Sequence, residues 1–166
     1  MDGNKYRVAV IGVGYLGTFH VQKYARMEDA ELVAVVDIDP AKAARVAAEF
    51  GVAAYQDYRE IMDRIDAASV VVPTPDHFTV SRDLLRHGID VLVEKPITDT
   101  LSDADALIEL SAAKDRILQV GHLERFNPTM LKIEDAIRHP LFIEAHRLSV
   151  FKERCLDVSV VLDLMI

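Results

Sequence analysis

Up to Val120, short runs of apolar residues alternate with stretches in which apolar residues return every three or four positions. The first pattern suits strands buried on both faces and the second suits helices lying on them, so the alternation predicts a parallel sheet covered on both sides. Tyr6 to Ile11 makes the first strand, and after a glycine-rich turn Leu16, Phe19, Tyr24 and Met27 fall at spacings compatible with one helix face. Glu31 to Asp37 is the second strand. Asp39-Pro40 supplies an N-cap followed by proline at the first helical position, Ala43, Ala47 and Phe50 follow at helical spacing, and Gly51 sits where a C-cap glycine belongs. Asp57 with Glu60 forms a capping-box pattern for a short helix, and the β-branched run Ala68 to Val72, ending at Pro73, counts as the fourth strand of six. A helix from about Asp76 to His87 stops at Gly88, Val91 to Val93 is the next strand, Ser102 caps a helix through Lys114, and Ile117 to Val120 closes the series.

The alternation breaks between Gly121 and Pro128, which predicts a first domain over residues 1–123 and the start of a second over 124–166. Asn127-Pro128 caps another helix. Leu141 to Val150 is strand-like without clean alternation, and Asp157 to Ile166 begins an apolar element with no terminating cap, as expected of a domain only partly present.

With 166 residues, 51% of them hydrophobic, the chain can bury one ordinary core and the beginning of another. Nineteen Lys and Arg against twenty-seven Asp and Glu leave a net charge of -8, which repels a phosphate backbone and argues against nucleic acid as a partner. Cys155 is the sole cysteine, so neither an intrachain disulfide nor a Cys-x-x-Cys pair can form, and a reducing, cytoplasmic location is expected. Lys5 and Arg7 precede the apolar stretch Val8 to Leu16 in the manner of a leader, yet glycines interrupt it and no small-x-small cleavage site follows. Val158 to Ile166 carries Asp163 and is far shorter than the roughly 20 residues of a membrane helix, so no membrane partner is expected.

Gly12-Val13-Gly14-Tyr15-Leu16-Gly17 lies between the first strand and the first helix, the context in which such a pattern binds a dinucleotide. Gly12 permits the tight turn, Gly14 leaves room for a pyrophosphate to approach the backbone, and Gly17 lets the helix pack closely on the strand. The helix N-terminus then offers its unpaired N–H groups to the phosphates, with the backbone of Tyr15 and Leu16 in its first turn. Asp37, twenty residues after Gly17 at the end of the second strand, can accept hydrogen bonds from both adenosine ribose hydroxyls. A 2′-phosphate would meet like charge there, reinforced by Asp39, so NAD is expected as cofactor rather than NADP.

Pro73-Thr74-Pro75-Asp76-His77 and Glu94-Lys95-Pro96 follow strands and belong at the carboxyl edge of the sheet, where ligands of such folds bind. On the residues alone the first is equally a rigid proline turn and the second an exposed ion pair before a proline. The six histidines form no His-x-x-x-His pair and no metal site is expected. His20 and His87 read as ordinary helix residues, while His77 and His122, at the sheet edge, are candidates for a cleft or for a structural role.

The glycine turn, the Thr-Pro turn before His77, Glu94-Lys95-Pro96 and Gly121-His122-Leu123-Glu124-Arg125-Phe126-Asn127-Pro128 together resemble the Gfo/Idh/MocA family of sugar and polyol oxidoreductases. The last segment looks closest to members that oxidise C3 of UDP-N-acetylglucosamine-type sugar nucleotides. The resemblance implies a doubly wound α/β Rossmann domain followed by an α+β substrate domain, and a cofactor site that includes Thr74, Pro75, His77, Glu94 and Lys95. It places Glu94 on the nicotinamide ribose and Lys95 beside the reacting hydroxyl as donor or proton relay, with Arg125 and His122 near the substrate. The family's Asp-x-x-x-His element matches Asp163 alone, since its histidine would be residue 167, so little turnover is expected of the chain by itself. From its residues alone, Asp163 is a solvated helix residue. A sugar or sugar-nucleotide substrate and a homo-oligomer are expected partners. A noncatalytic NAD-binding module, for sensing or assembly, would use the same glycines and Asp37.

Overall fold

In the computed structural model of the chain, residues 5–134, 139–144 and 146 are described. Six parallel strands, β1 (Tyr6–Ile11), β2 (Ala30–Val36), β3 (Ala53–Tyr55), β4 (Ala67–Val70), β5 (Asp90–Val93) and β6 (Leu118–Val120), lie in the order β3-β2-β1-β4-β5-β6. The doubly wound α/β fold expected from the alternation is therefore present. The order reverses between β1 and β4, and this switch point opens a crevice at the carboxyl ends of the strands.

The strands bury both faces. Ala9 and Ile11 of β1 with Ala34 and Val36 of β2 join one core, which also takes Ile61, Leu84 and Leu107. The alternate residues Val10 and Val35 join a second core with Val21, Val46 and Ala47. Helices α1 (Tyr15–Tyr24) and α2 (Pro40–Phe50) thus cover one face, and α3 (Thr74–Arg86) and α4 (Leu101–Lys114) the other. A further short helix, α5 (Pro128–Ile133), follows β6.

Local rules account for most boundaries. The Asp39 carboxylate accepts from the N–H groups of Ala41 and Lys42, and Gly51 ends α2 in the left-handed conformation at φ 69°. Asn127 caps α5 by accepting from the Thr129 N–H at 2.9 Å. The short helix after Asp57 is a 3₁₀ helix over Tyr58–Arg64.

Four expectations are corrected. The large apolar residues Leu16, Phe19 and Met27 are exposed, and Met27 lies beyond α1. The face of α1 turned to the sheet carries Tyr24 as expected, with Gly17, His20 and Val21 in place of the others, because the helix can approach β1 only where a side chain is missing. Helix α3 starts at Thr74, two residues early, since Pro75 fits the first turn, where its missing N–H has no partner to lose. Thr100, not Ser102, caps α4: its oxygen accepts from the Asp103 N–H at 3.2 Å while its hydroxyl donates to the Asp103 carboxylate at 2.8 Å. Residues 141–144 and 146 carry no strand; the rest of the run to Val150, the element from Asp157 and Asp163 itself lie outside the described residues.

Candidate cofactor cleft

The crevice at the switch point is a cleft of about 900 Å³ that collects residues from the ends of β1, β2, β4 and β5. Gly12 leaves β1 at φ 88°, and a Cβ there would lie 2.5 Å from the Val71 carbonyl oxygen, so the turn closes tightly over the end of β4. Gly17 sits beneath it, where a Cβ would stand 1.9 Å from the Gly12 carbonyl oxygen. Gly14 differs: nothing lies within 4 Å of its missing Cβ, and it opens α1 without any side-chain cap. A close-packed turn ending in an open, uncapped helix N-terminus is what a pyrophosphate needs. Gly14, Tyr15 and Leu16 line the cleft.

Asp37 stands at the end of β2 on the same cleft. Its Oδ2 accepts from the Val13 N–H at 3.0 Å and its Oδ1 from the Asp39 N–H at 2.9 Å. The carboxylate thereby locks the glycine turn to the β2 loop, and each oxygen keeps a lone pair for a further donor. Lys42 and Arg59 line the cleft as well, although neither is adjacent to Asp37 in sequence. Lys42 approaches Asp39 at 3.7 Å, and Arg59 approaches Asp57 and Asp83.

From the other side come Thr74, His77, Glu94 and Lys95. Pro73 and Asp76 are also on the lining, whereas Pro75 is exposed and off it. The His77 ring is 2% exposed, with Nδ1 2.8 Å from the Pro96 carbonyl oxygen and Nε2 2.9 Å from that of Val72. Each ring nitrogen faces a backbone carbonyl, and the one that carries the proton donates, so the buried ring sits wedged between the Lys95-Pro96 turn and the end of β4. The Lys95-Pro96 peptide is cis.

Glu94 is buried, and its Oε1 lies 2.9 Å from His20 Nε2 while Oε2 accepts from the Lys95 N–H at 3.3 Å. Burial pushes the Glu94 carboxyl up, but the His20 hydrogen bond and charge, the Lys95 N–H and the Lys95 charge outweigh it and hold the group below the usual range. A lowered value in the fold means that ionised Glu94 contributes stability at neutral pH, which is lost as acid protonates it. His20, read from sequence as an ordinary helix residue, is therefore tied to the cleft. Its signal was present in the chain: His20 lies one turn after Gly17, and Gly17 marks the buried face. His122, just before the 3₁₀ helix Leu123–Phe126, and Arg125, within it, are exposed and off the cleft lining.

Tyr58, on the cleft wall, donates to Asp83 at 2.9 Å. Burial, that hydrogen bond and the Asp83 charge push its hydroxyl from 10.0 up to about 12. Its stabilising contribution is complete below pH 10 and is lost as the pH rises through about 12. An alkaline absorbance titration of wild type minus Tyr58→Phe is expected to show a tyrosine ionising near 12; a midpoint near 10 would contradict the Asp83 contact.

A parallel sheet ordered 3-2-1-4-5-6, with a glycine turn and an acidic residue on its switch-point cleft, defines a Rossmann dinucleotide-binding protein. The family model described as "Oxidoreductase family, NAD-binding Rossmann fold" (Gfo/Idh/MocA) matches residues 6–122, and the chain belongs to that family. It is 40% identical over 161 residues to UDP-N-acetylglucosamine 3-dehydrogenase of Acidithiobacillus ferrooxidans, a match covering 96% of this chain and 51% of that enzyme. A solved structure of that name and source superposes with a TM-score of 0.89 at 39% identity, covering 98% of this chain and 53% of the other. Inositol 2-dehydrogenase of Rubrobacter xylanophilus is 30% identical over 140 residues, covering 82% and 40%. Scyllo-inositol dehydrogenase from Lactobacillus casei, solved with bound NAD(H) and scyllo-inositol, shares the fold at a TM-score of 0.75 and 24% identity, covering 81% and 41%. The chain spans about half the length of these relatives. Among the described residues no helix is long and apolar enough to cross a membrane.

Proposed function

We propose that the chain is the cofactor-binding half of an NAD-dependent dehydrogenase that oxidises a secondary hydroxyl of a sugar nucleotide, at C3 of a UDP-amino sugar. One observation carries the reading: the glycine turn and Asp37 share a single cleft with Glu94 and Lys95, so groups suited to a dinucleotide's two ends face each other across it. The similarity to a UDP-N-acetylglucosamine 3-dehydrogenase over 96% of the chain supports the substrate class.

The open N-terminus of α1 fits a pyrophosphate, and Asp37 fits a ribose with free 2′ and 3′ hydroxyls. Bound nicotinamide supplies a hydride acceptor. With the cofactor bound, Glu94 would accept from the nicotinamide ribose, and Lys95 would either stabilise negative charge developing on the substrate oxygen or, in its neutral form, take the hydroxyl proton as the hydride leaves the carbinol carbon. The family resemblance alone assigns Asp163 to proton transfer, and Arg125 and His122 to contacts with the substrate.

The test is a panel of UDP-N-acetylglucosamine, free N-acetylglucosamine and inositols, offered with NAD to the chain fused to the C-terminal half of the Acidithiobacillus relative while NADH is followed. UDP-N-acetylglucosamine is expected to be oxidised fastest, and Lys95→Met is expected to lower kcat by about a hundredfold or more while leaving NAD affinity within severalfold. Turnover of inositol alone would move the substrate class. NAD binding with turnover insensitive to Lys95→Met would leave Lys95 without the proposed role.

A further inference from the structure

Behind Glu94 stands a row of side chains that the proposed chemistry does not use. His20 Nε2 lies 2.9 Å from Glu94 Oε1, His20 Nδ1 lies 3.1 Å from Ser69 Oγ, and Ser69 Oγ lies 2.8 Å from the Tyr24 hydroxyl. Three elements contribute: α1 brings His20 and Tyr24 one turn apart, β4 brings the fully buried Ser69, and the end of β5 brings Glu94. An ionised carboxylate only accepts, so the contact to Oε1 requires the proton on Nε2. A neutral ring accepts at Nδ1 from the Ser69 hydroxyl and a charged ring donates from Nδ1 to it; either way Nε2 donates to Glu94 and Ser69 also pairs with the Tyr24 hydroxyl. Every buried polar atom in the row is paired. On another side, a Cβ at Gly121 would stand 2.9 Å from Oε1, so the carboxylate is closed in by backbone there.

We propose that His20 is a positioning residue for the nicotinamide end of the cleft: donating from Nε2, and itself oriented by Ser69 and Tyr24, it holds the Glu94 carboxylate in the orientation that receives a ribose beside Lys95. The proposal rests on the reading of Glu94 as the contact to that ribose. It assigns to α1 a second task, since the helix whose N-terminus faces the pyrophosphate also sets the far end of the site.

Calorimetry of the chain with NAD and with ADP separates the two ends, because ADP lacks the nicotinamide riboside. His20→Phe is expected to weaken NAD about tenfold and leave ADP unchanged, whereas His20→Gln, whose amide N–H can replace Nε2–H, recovers most of the loss. Nitrogen-15 NMR of the wild-type ring is expected to show the proton on Nε2 and a shift of that signal in Glu94→Gln. Equal losses for NAD and ADP in His20→Phe, no recovery in His20→Gln, or a wild-type ring protonated on Nδ1 alone would overturn the proposal. Glu94→Ala weakening NAD while His20→Phe does not would overturn it and leave the ribose reading intact. Glu94→Ala without effect on NAD would overturn the ribose reading beneath it.

Discussion

Gly17→Ala is expected to cost the fold about 3 kcal/mol and to abolish dinucleotide binding, because the added methyl would stand 1.9 Å from the Gly12 carbonyl oxygen. The contact is with backbone at a turn that itself has no slack, since Gly12 is pressed against the end of β4. Relief therefore requires α1 to move away from β1, which opens the core around Val10 and Val21 and moves the helix N-terminus out of the cleft. Urea denaturation and NAD calorimetry measure the two losses. Gly14→Ala is the control that separates them: nothing lies within 4 Å of its Cβ position and its φ is −68°, so stability is expected to stay within about 0.5 kcal/mol while NAD binding weakens. An unfolding midpoint unchanged in Gly17→Ala would show that α1 does not rest on the glycine turn as described.

Asp37→Ala is expected to weaken NAD by about tenfold to a hundredfold, the range for losing charge-assisted hydrogen bonds. NADP should weaken much less, or tighten, so the preference between them narrows or reverses. The same carboxylate that would repel a 2′-phosphate is removed, and Lys42 and Arg59 remain on the cleft to attract one. Part of the loss will come from the protein itself, since the Val13 and Asp39 N–H groups lose their acceptor. That part falls on both cofactors alike, so the ratio of the two affinities isolates the ribose contact. Equal losses for NAD and NADP would mean that Asp37 only braces the turn.

How much of this site could be read from the chain depends on how far apart its parts lie. The caps at Asp39, Gly51 and Asn127 were legible because each rests on hydrogen bonds or backbone conformations that span a few residues, whereas the glycine turn and Asp37, whose carboxylate meets the Val13 N–H across 24 residues, were legible as a spaced motif. The third strand, Ala53–Tyr55, was not, being three residues long and only partly buried. The cap of α4 went to the wrong hydroxyl because Thr100 and Ser102 are chemically equivalent on paper. Each has an acid three positions on, Asp103 and Asp105, but only Thr100 immediately precedes the first helical residue, Leu101.

The larger misreading concerns α1. Periodicity selects Leu16, Phe19, Tyr24 and Met27 by hydrophobic size, and of these only Tyr24 packs on the core, because the buried face is the one with least side chain at its centre. Once Gly17 marks the close approach, His20 and Tyr24 follow on that face. Their partners still do not, because His20 meets Glu94 across 74 residues and Ser69 across 49.

By itself the sequence determined the alternation of strands and helices, the dinucleotide turn and the acidic residue at the end of β2, through periodicity, caps and motif spacing along the chain. Only the tertiary structure decided which cations share the cleft with Asp37, that His77 is buried between the carbonyls of Val72 and Pro96, and that His20 stands behind Glu94. Those contacts exist because β4 and β5 lie on one side of β1 and β2 on the other. That arrangement sets the distances between remote residues, and no local hydrogen bond or periodicity carries it.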